Sequence, residues 1–109
     1  MIDWERVKEL RAEIGAGDFM EVAEMFLEEA DAAVGRLTPD LSAKAMEADL
    51  HFLKGAALNL GFTALSGQCQ EGERRAAAGD TGVDLVKLRD TYFASKAAFE
   101  CGMGQAFAA

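Results

Sequence analysis

The chain reads as an all-α fold: an up-down four-helix bundle with a short additional N-terminal helix. Three observations predict this. Apolar residues recur three and four positions apart through almost the whole chain. β-branched residues are sparse and do not alternate with polar ones, so no strand signal arises. The breaks between periodic stretches are short, and helices joined by short connections pack as antiparallel neighbours.

Each element follows from local chemistry. Asp3 caps a first short helix over about 3–14, with Trp4, Val7, Leu10 and Ile14 as its apolar stripe. Gly15-Ala16-Gly17 ends it and Asp18 caps the next helix, expected over 18–37. That helix is expected to bury Phe19, Val22, Phe26, Ala30, Ala33 and Leu37. Thr38-Pro39-Asp40 breaks the chain at its only proline, because the residue before proline avoids the helical region. A third helix runs over 42–60 from Ser42, with Met46, Leu50, Leu53, Ala57 and Leu60 inward. Gly61 stops it. Thr63 is expected to cap a fourth helix over 63–78 bearing Leu65, Cys69, Gly72 and Ala76. Gly79-Asp80-Thr81-Gly82 is a turn. The last helix, over 83–101, carries Leu85, Leu88, Tyr92, Phe99 and Met103, and Gly102 and Gly104 predict fraying at its end.

Composition narrows the function. The 109 residues suit one domain over 1–109, with the bundle over about 18–101. Such a chain buries about 65% of its unfolded surface, enough for one core. The formal net charge of -8 argues against nucleic acid and against an anionic membrane surface, both of which need clustered cations. Cys69 and Cys101 sit in apolar helical patterns and read as reduced packing residues. No apolar run approaches the roughly 18 residues that span a bilayer. Met1-Ile2-Asp3-Trp4-Glu5 is no signal peptide. Together these point to a cytoplasmic protein. One histidine and two scattered cysteines make no zinc site, and no metal or cofactor is expected.

The stretch that carries chemistry is His51-Phe52-Leu53-Lys54-Gly55-Ala56-Ala57-Leu58-Asn59-Leu60-Gly61. His51 is the single histidine of the chain. Helix positions three and four apart share a face, so His51, Lys54 and the bare backbone of Gly55 are neighbours. Lys44, Glu47 and Leu58 lie on that same outward face. The arrangement suits an imidazole that accepts a phosphoryl group. An ordinary imidazole titrates near about 6.5, so much of it is neutral at pH 7, and a nearby ammonium favours that form. Lys54 offers charge to phosphate oxygens. Gly55 costs a helix about 1 kcal/mol relative to alanine and leaves an approach to the ring. Leu58 and Met25 point away from the core and would form a docking patch if they cluster near His51. Arg74 and Arg75 read as solvated. No Gly-x-x-x-x-Gly-Lys-Ser/Thr loop or glycine-rich kinase box occurs, so the chain has no recognisable ATP site.

The pattern resembles the histidine-containing phosphotransfer (HPt) domain of multistep phosphorelays. That family's signature is His-x-x-Lys-Gly with a second glycine ten residues after the histidine; His51, Lys54, Gly55 and Gly61 fill all four places. The apolar helix from Phe19 to Leu37 and the later helix with Leu65, Cys69 and Glu73 extend the resemblance over roughly residues 18–100. It implies a monomeric phosphocarrier, not a complete enzyme, with His51 as phosphoacceptor. The implied partners are a receiver domain of a response regulator, a histidine kinase, or both. Magnesium is then expected on the partner receiver. At Glu73, twenty-two residues after the histidine, the family commonly has a glutamine bonded to it. A glutamate occurs there in the histidine domain of chemotaxis kinases. A carboxylate at Glu73 would accept the Nδ1 proton and orient the ring. Two alternatives stand beside the phosphorelay reading. One is a phosphorylation-independent helical adaptor that inhibits a receiver or kinase. The other is a chemotaxis-type phosphoacceptor working in trans with an ATP-binding subunit.

Overall fold

Five helices make up most of the described residues: α1 (Trp4–Ile14), α2 (Phe19–Arg36), α3 (Ala43–Leu60), α4 (Thr63–Ala77) and α5 (Leu85–Ala106). The structure is a computed structural model and describes residues 2–106; residue 1 and residues 107–109 of the expected domain lie outside the described residues. No strand forms among those residues, although Ile2 and Phe62 make an isolated antiparallel bridge. The helices build a rod of 48 × 20 × 19 Å.

α3 is the central element, packed against α4 most extensively and also against α2 and α1. Its inward face, Met46, Leu50, Leu53, Ala57 and Leu60, is fully buried, as the periodicity predicts. Ser42 caps it through the amide of Ala45 at 3.1 Å. Gly61 ends it at φ +73, a left-handed conformation that suits glycine. A Cβ at Gly61 would also lie 2.6 Å from the Asp3 carbonyl oxygen, because the segment before α1 docks there with the Asp3 amide donating to Gly61 O at 2.7 Å. Gly72 lets α4 approach α3: a Cβ there would sit 3.0 Å from Leu50 Cδ1 and 3.1 Å from Val83 Cγ1.

The apolar stripe of α2 differs from the expected one. Phe19, Ala23, Leu27, Ala30, Ala33, Val34 and Leu37 are buried, whereas Val22 and Phe26 are only half-buried. Both stripes obey helical spacing. The one lined by alanines wins because small side chains let neighbouring helices approach, and the bulkier Phe26 is left on the flank.

Two caps also differ. Asp18 precedes α2, but its side chain makes no cap bond and its backbone is already helical (φ -100, ψ -9). The turn from Gly15 runs straight into the helix, with the Phe19 amide bonded to Gly15 O at 3.1 Å. Thr63 is the first residue of α4 rather than its cap. Phe62 holds the cap position, since its ring is buried and its amide returns to Ala57 O at 2.8 Å. At the start of α1, Asp3 caps as expected, accepting from the Arg6 amide at 3.2 Å.

The last helix does not fray at Gly102; α5 continues to Ala106. Gly102 faces Trp4, and a Cβ there would overlap the indole. Trp4 in turn stacks on Phe99, with centroids 5.9 Å apart and planes 5° from parallel. Glycine is used here for close approach, not for ending a helix. Farther back along α5, buried Tyr92 donates to the Asp31 carboxylate of α2, which also pairs with Lys96 at 3.0 Å. Burial, then the Asp31 bond, push the Tyr92 hydroxyl well above the usual phenol range, so it stays a donor.

Candidate functional site

His51 sits midway along α3 on the side opposite the buried leucines, and its side chain is 69% exposed. Glu73 of α4 lies beside it: Oε1 is 2.9 Å from His51 Nδ1 and Oε2 is 2.8 Å from Lys54 Nζ. The spacing explains the arrangement. His51 and Lys54 are one helical turn apart, so one carboxylate from the neighbouring helix spans both.

The Lys54 ammonium is the main reason that the Glu73 carboxyl is held below the usual carboxylate range. The His51 bond adds to this, and partial burial opposes it. Glu73 is therefore ionised at neutral pH and can only accept. The proton of a neutral His51 ring then belongs on Nδ1, and the lone pair belongs on Nε2. Lys54, read from the sequence as a phosphate contact, is engaged with Glu73 in this structure.

One turn before Glu73 lies Cys69. Its thiol is pushed up to about 12, first by burial and then by the Glu73 charge. It is inert packing beside the site, whereas Cys101 is exposed.

Gly55 follows His51 by one turn, and a Cβ there would meet nothing within 4 Å. None of the described helices packs on it. It lines a hollow of about 280 Å³ with Phe26, Glu29, His51, Phe52, Ala56 and Asn59. Phe52 is 41% exposed, Met25 49% and Leu58 55%. Phe26, expected in the core from its spacing, lines this hollow instead, and Phe52, Glu29 and Asn59 join it without a motif to mark them. Phe52 was legible in principle, because it follows His51 and falls off the leucine stripe. Leu58 lines a second hollow, toward α1, of about 290 Å³.

Arg74 and Arg75 are not simply solvated. Arg74 pairs with Glu71 at 3.1 Å, and Arg75 with Asp80 at 3.0 Å. Arg74 thus pairs one turn back along α4, and Arg75 pairs with the turn that follows the helix. A wider hollow, about 460 Å³, opens between α4 and α5, and His51 is not in its lining. Among the described residues no group of three or more His, Cys, Asp or Glu could hold a metal ion. None of the described helices is long and apolar enough to cross a membrane.

The Hpt domain family model matches residues 16–98, about three-quarters of the chain. No curated protein and no solved structure matches it. The matched span contains His51, Lys54, Gly55, Gly61 and Glu73 and leaves out α1. Members of this family are phosphocarriers that act with receiver domains and kinases in phosphorelays. An exposed histidine on an all-helical scaffold, backed by a carboxylate and flanked by an open glycine, lies within the matched span, and the chain belongs to the Hpt domain family.

Proposed function

We propose that this protein reversibly carries a phosphoryl group on His51, between receiver-domain aspartates or from a histidine kinase to a receiver. The observation that carries the reading is Glu73 Oε1 at 2.9 Å from His51 Nδ1. With the proton held on Nδ1, the Nε2 lone pair attacks phosphorus. The new N–P bond forms as the P–O bond to the donor aspartate breaks, and that carboxylate leaves with the electron pair. The ring becomes cationic, and Glu73 offsets the charge where it develops. The reverse displacement passes the group to the next aspartate.

In this reading Glu73 positions the ring, and Gly55 keeps the approach open. Lys54 restrains Glu73 at rest and offers its ammonium to the arriving phosphate oxygens. Magnesium and the remaining catalysis come from the partner receiver. The working unit is one monomeric domain, with α2–α5 as an up-down four-helix bundle and α1 laid across one end. The glutamate at 73, where the family commonly has glutamine, favours a second reading: a chemotaxis-type phosphoacceptor fed in trans by an ATP-binding kinase.

Incubation with labelled phospho-receivers and with active kinases from the same genome separates these readings by which donor works. The label should be stable to base, labile to acid and absent from His51→Gln. A protein that takes no label from any donor, yet inhibits a receiver or kinase, would instead be a helical adaptor.

A further inference from the structure

Glu29 of α2 shares with His51 a hollow whose lining also holds Phe26, Phe52 and Gly55. Phe26 and Glu29 are one turn apart on α2, and exposed Met25 lies one turn before Glu29 on the same side. The Glu29 carboxylate therefore borders an apolar surface that adjoins the phosphoacceptor. Glu29 is exposed, and it makes no ion pair among the described residues. The cations of the flanking helices are engaged elsewhere: Lys54 with Glu73 at 2.8 Å, Arg36 with Asp49 at 3.1 Å and Lys96 with Asp31 at 3.0 Å. Lys44 lies about 10 Å before His51 along α3. α2 itself carries Glu21, Glu24, Glu28, Glu29 and Asp31 against the single base Arg36. The α2 side of the hollow is thus apolar and net negative.

A domain that exchanges phosphate with His51 has to cover this hollow, because its aspartate must come within bonding reach of Nε2. Covering the hollow takes water away from Glu29. A carboxylate stripped of water with no counter-charge is costly, whereas one that meets an ammonium or guanidinium keeps a partner for its charge. A docking face with an apolar centre and a basic group at its rim therefore fits. A face that places a carboxylate opposite Glu29 is rejected by like-charge repulsion. One residue thus discriminates in both directions.

Resting on the phosphocarrier reading, we propose that Glu29 is a specificity-determining residue: it selects a receiver domain that carries a lysine or arginine beside the apolar part of its docking face. The test uses the full chain and a panel of receiver domains from the same genome, each phosphorylated with labelled acetyl phosphate. For the receiver that transfers fastest to the wild type, Glu29→Lys should raise KM about tenfold with little change in kcat, the pattern of a reversed rim charge. Glu29→Gln, of the same shape without the charge, should raise it less. Added salt should raise the wild-type KM and narrow the gap between wild type and Glu29→Lys. Circular dichroism and thermal melting establish that both variants fold. Reversing one rim lysine or arginine of that receiver to glutamate should restore transfer to Glu29→Lys, which a purely structural Glu29 would not permit. An unchanged or lowered KM in Glu29→Lys, a gap indifferent to salt, or failure of every rim reversal to restore transfer overturns this proposal and leaves the phosphocarrier reading intact. A wild type that accepts phosphate from no receiver and no kinase overturns that reading, and this proposal with it. A wild type fed only by a kinase overturns the choice of a receiver as the partner read by Glu29.

Discussion

One carboxylate on α4 serves two residues on α3: Glu73 meets His51 Nδ1 at 2.9 Å and Lys54 Nζ at 2.8 Å. Any change in how α4 lies on α3 therefore alters the ring and the ammonium together. Gly72, next to Glu73, fixes that packing by admitting Leu50 to within 3.0 Å of where a Cβ would stand.

The first prediction concerns Lys54. A carboxyl whose folded-state pKa is lowered contributes stability that is full above its ordinary range and lost as pH falls through the folded value. Glu73 is shifted in that direction, chiefly by Lys54. Lys54→Met should thus destabilise the protein by roughly 1 kcal/mol or less near pH 7. The difference from wild type should shrink at an acid pH below the lowered folded-state value of Glu73, where the carboxyl is protonated in both. Urea unfolding at the two pH values reads this directly; a gap that widens on acidification would mean that the pair does not form. Phosphotransfer should slow by about tenfold without vanishing, because charge assistance adds to the nucleophile's own chemistry.

Gly55→Gln should raise helix stability by up to about 1 kcal/mol, since glycine is costly in a helix interior and the new side chain meets only open space. It should also slow transfer from every macromolecular donor by obstructing the approach to His51. Stopped-flow transfer rates equal to wild type would show that access is not what glycine provides there.

Much of this site is legible in the sequence because it is local. His51, Lys54 and Gly55 share a face by helical spacing alone, and Met46, Leu50, Leu53, Ala57 and Leu60 leave one inward side for α3. The parts that are not legible depend on partners distant in the chain. Phe26 and Leu27 both fit an apolar stripe on α2, and only the close approach of neighbouring helices over the alanines decides between them. Gly102 has the signature of a helix end until Trp4, on the first helix, is placed against it. Thr63 has the chemistry of a cap, but burial of Phe62 moves the turn one residue back. Glu73 was reached only through the family resemblance, because no periodicity relates it to a histidine on another helix.

The Trp4–Gly102 contact gives a third prediction. Gly102→Val should displace the indole and cost about 1–3 kcal/mol, as overpacking of close contacts does. Because the chain has a single tryptophan, its fluorescence should shift to the red in the folded variant. An unshifted spectrum with unchanged stability would mean that α1 does not dock on α5.

The two thiols should differ sharply. Cys101 is exposed, whereas Cys69 is buried with its thiol pushed up to about 12. A thiol reagent at pH 8 should modify one cysteine quickly, and the second only on the timescale of unfolding. Equal rates at both would contradict the packing of α4 beside the site.

The central claim is that His51 accepts phosphate on Nε2 while Glu73 holds the proton on Nδ1. Nitrogen NMR of protein carrying isotopically labelled histidine tests it most directly, because a single imidazole gives the whole signal. The resting ring should be the Nδ1–H tautomer, this preference should be lost in Glu73→Ala, and a phospho-donor should produce phosphorus coupling at Nε2. A ring whose tautomer is the same in Glu73→Ala, or phosphorus coupled to Nδ1, would contradict the account.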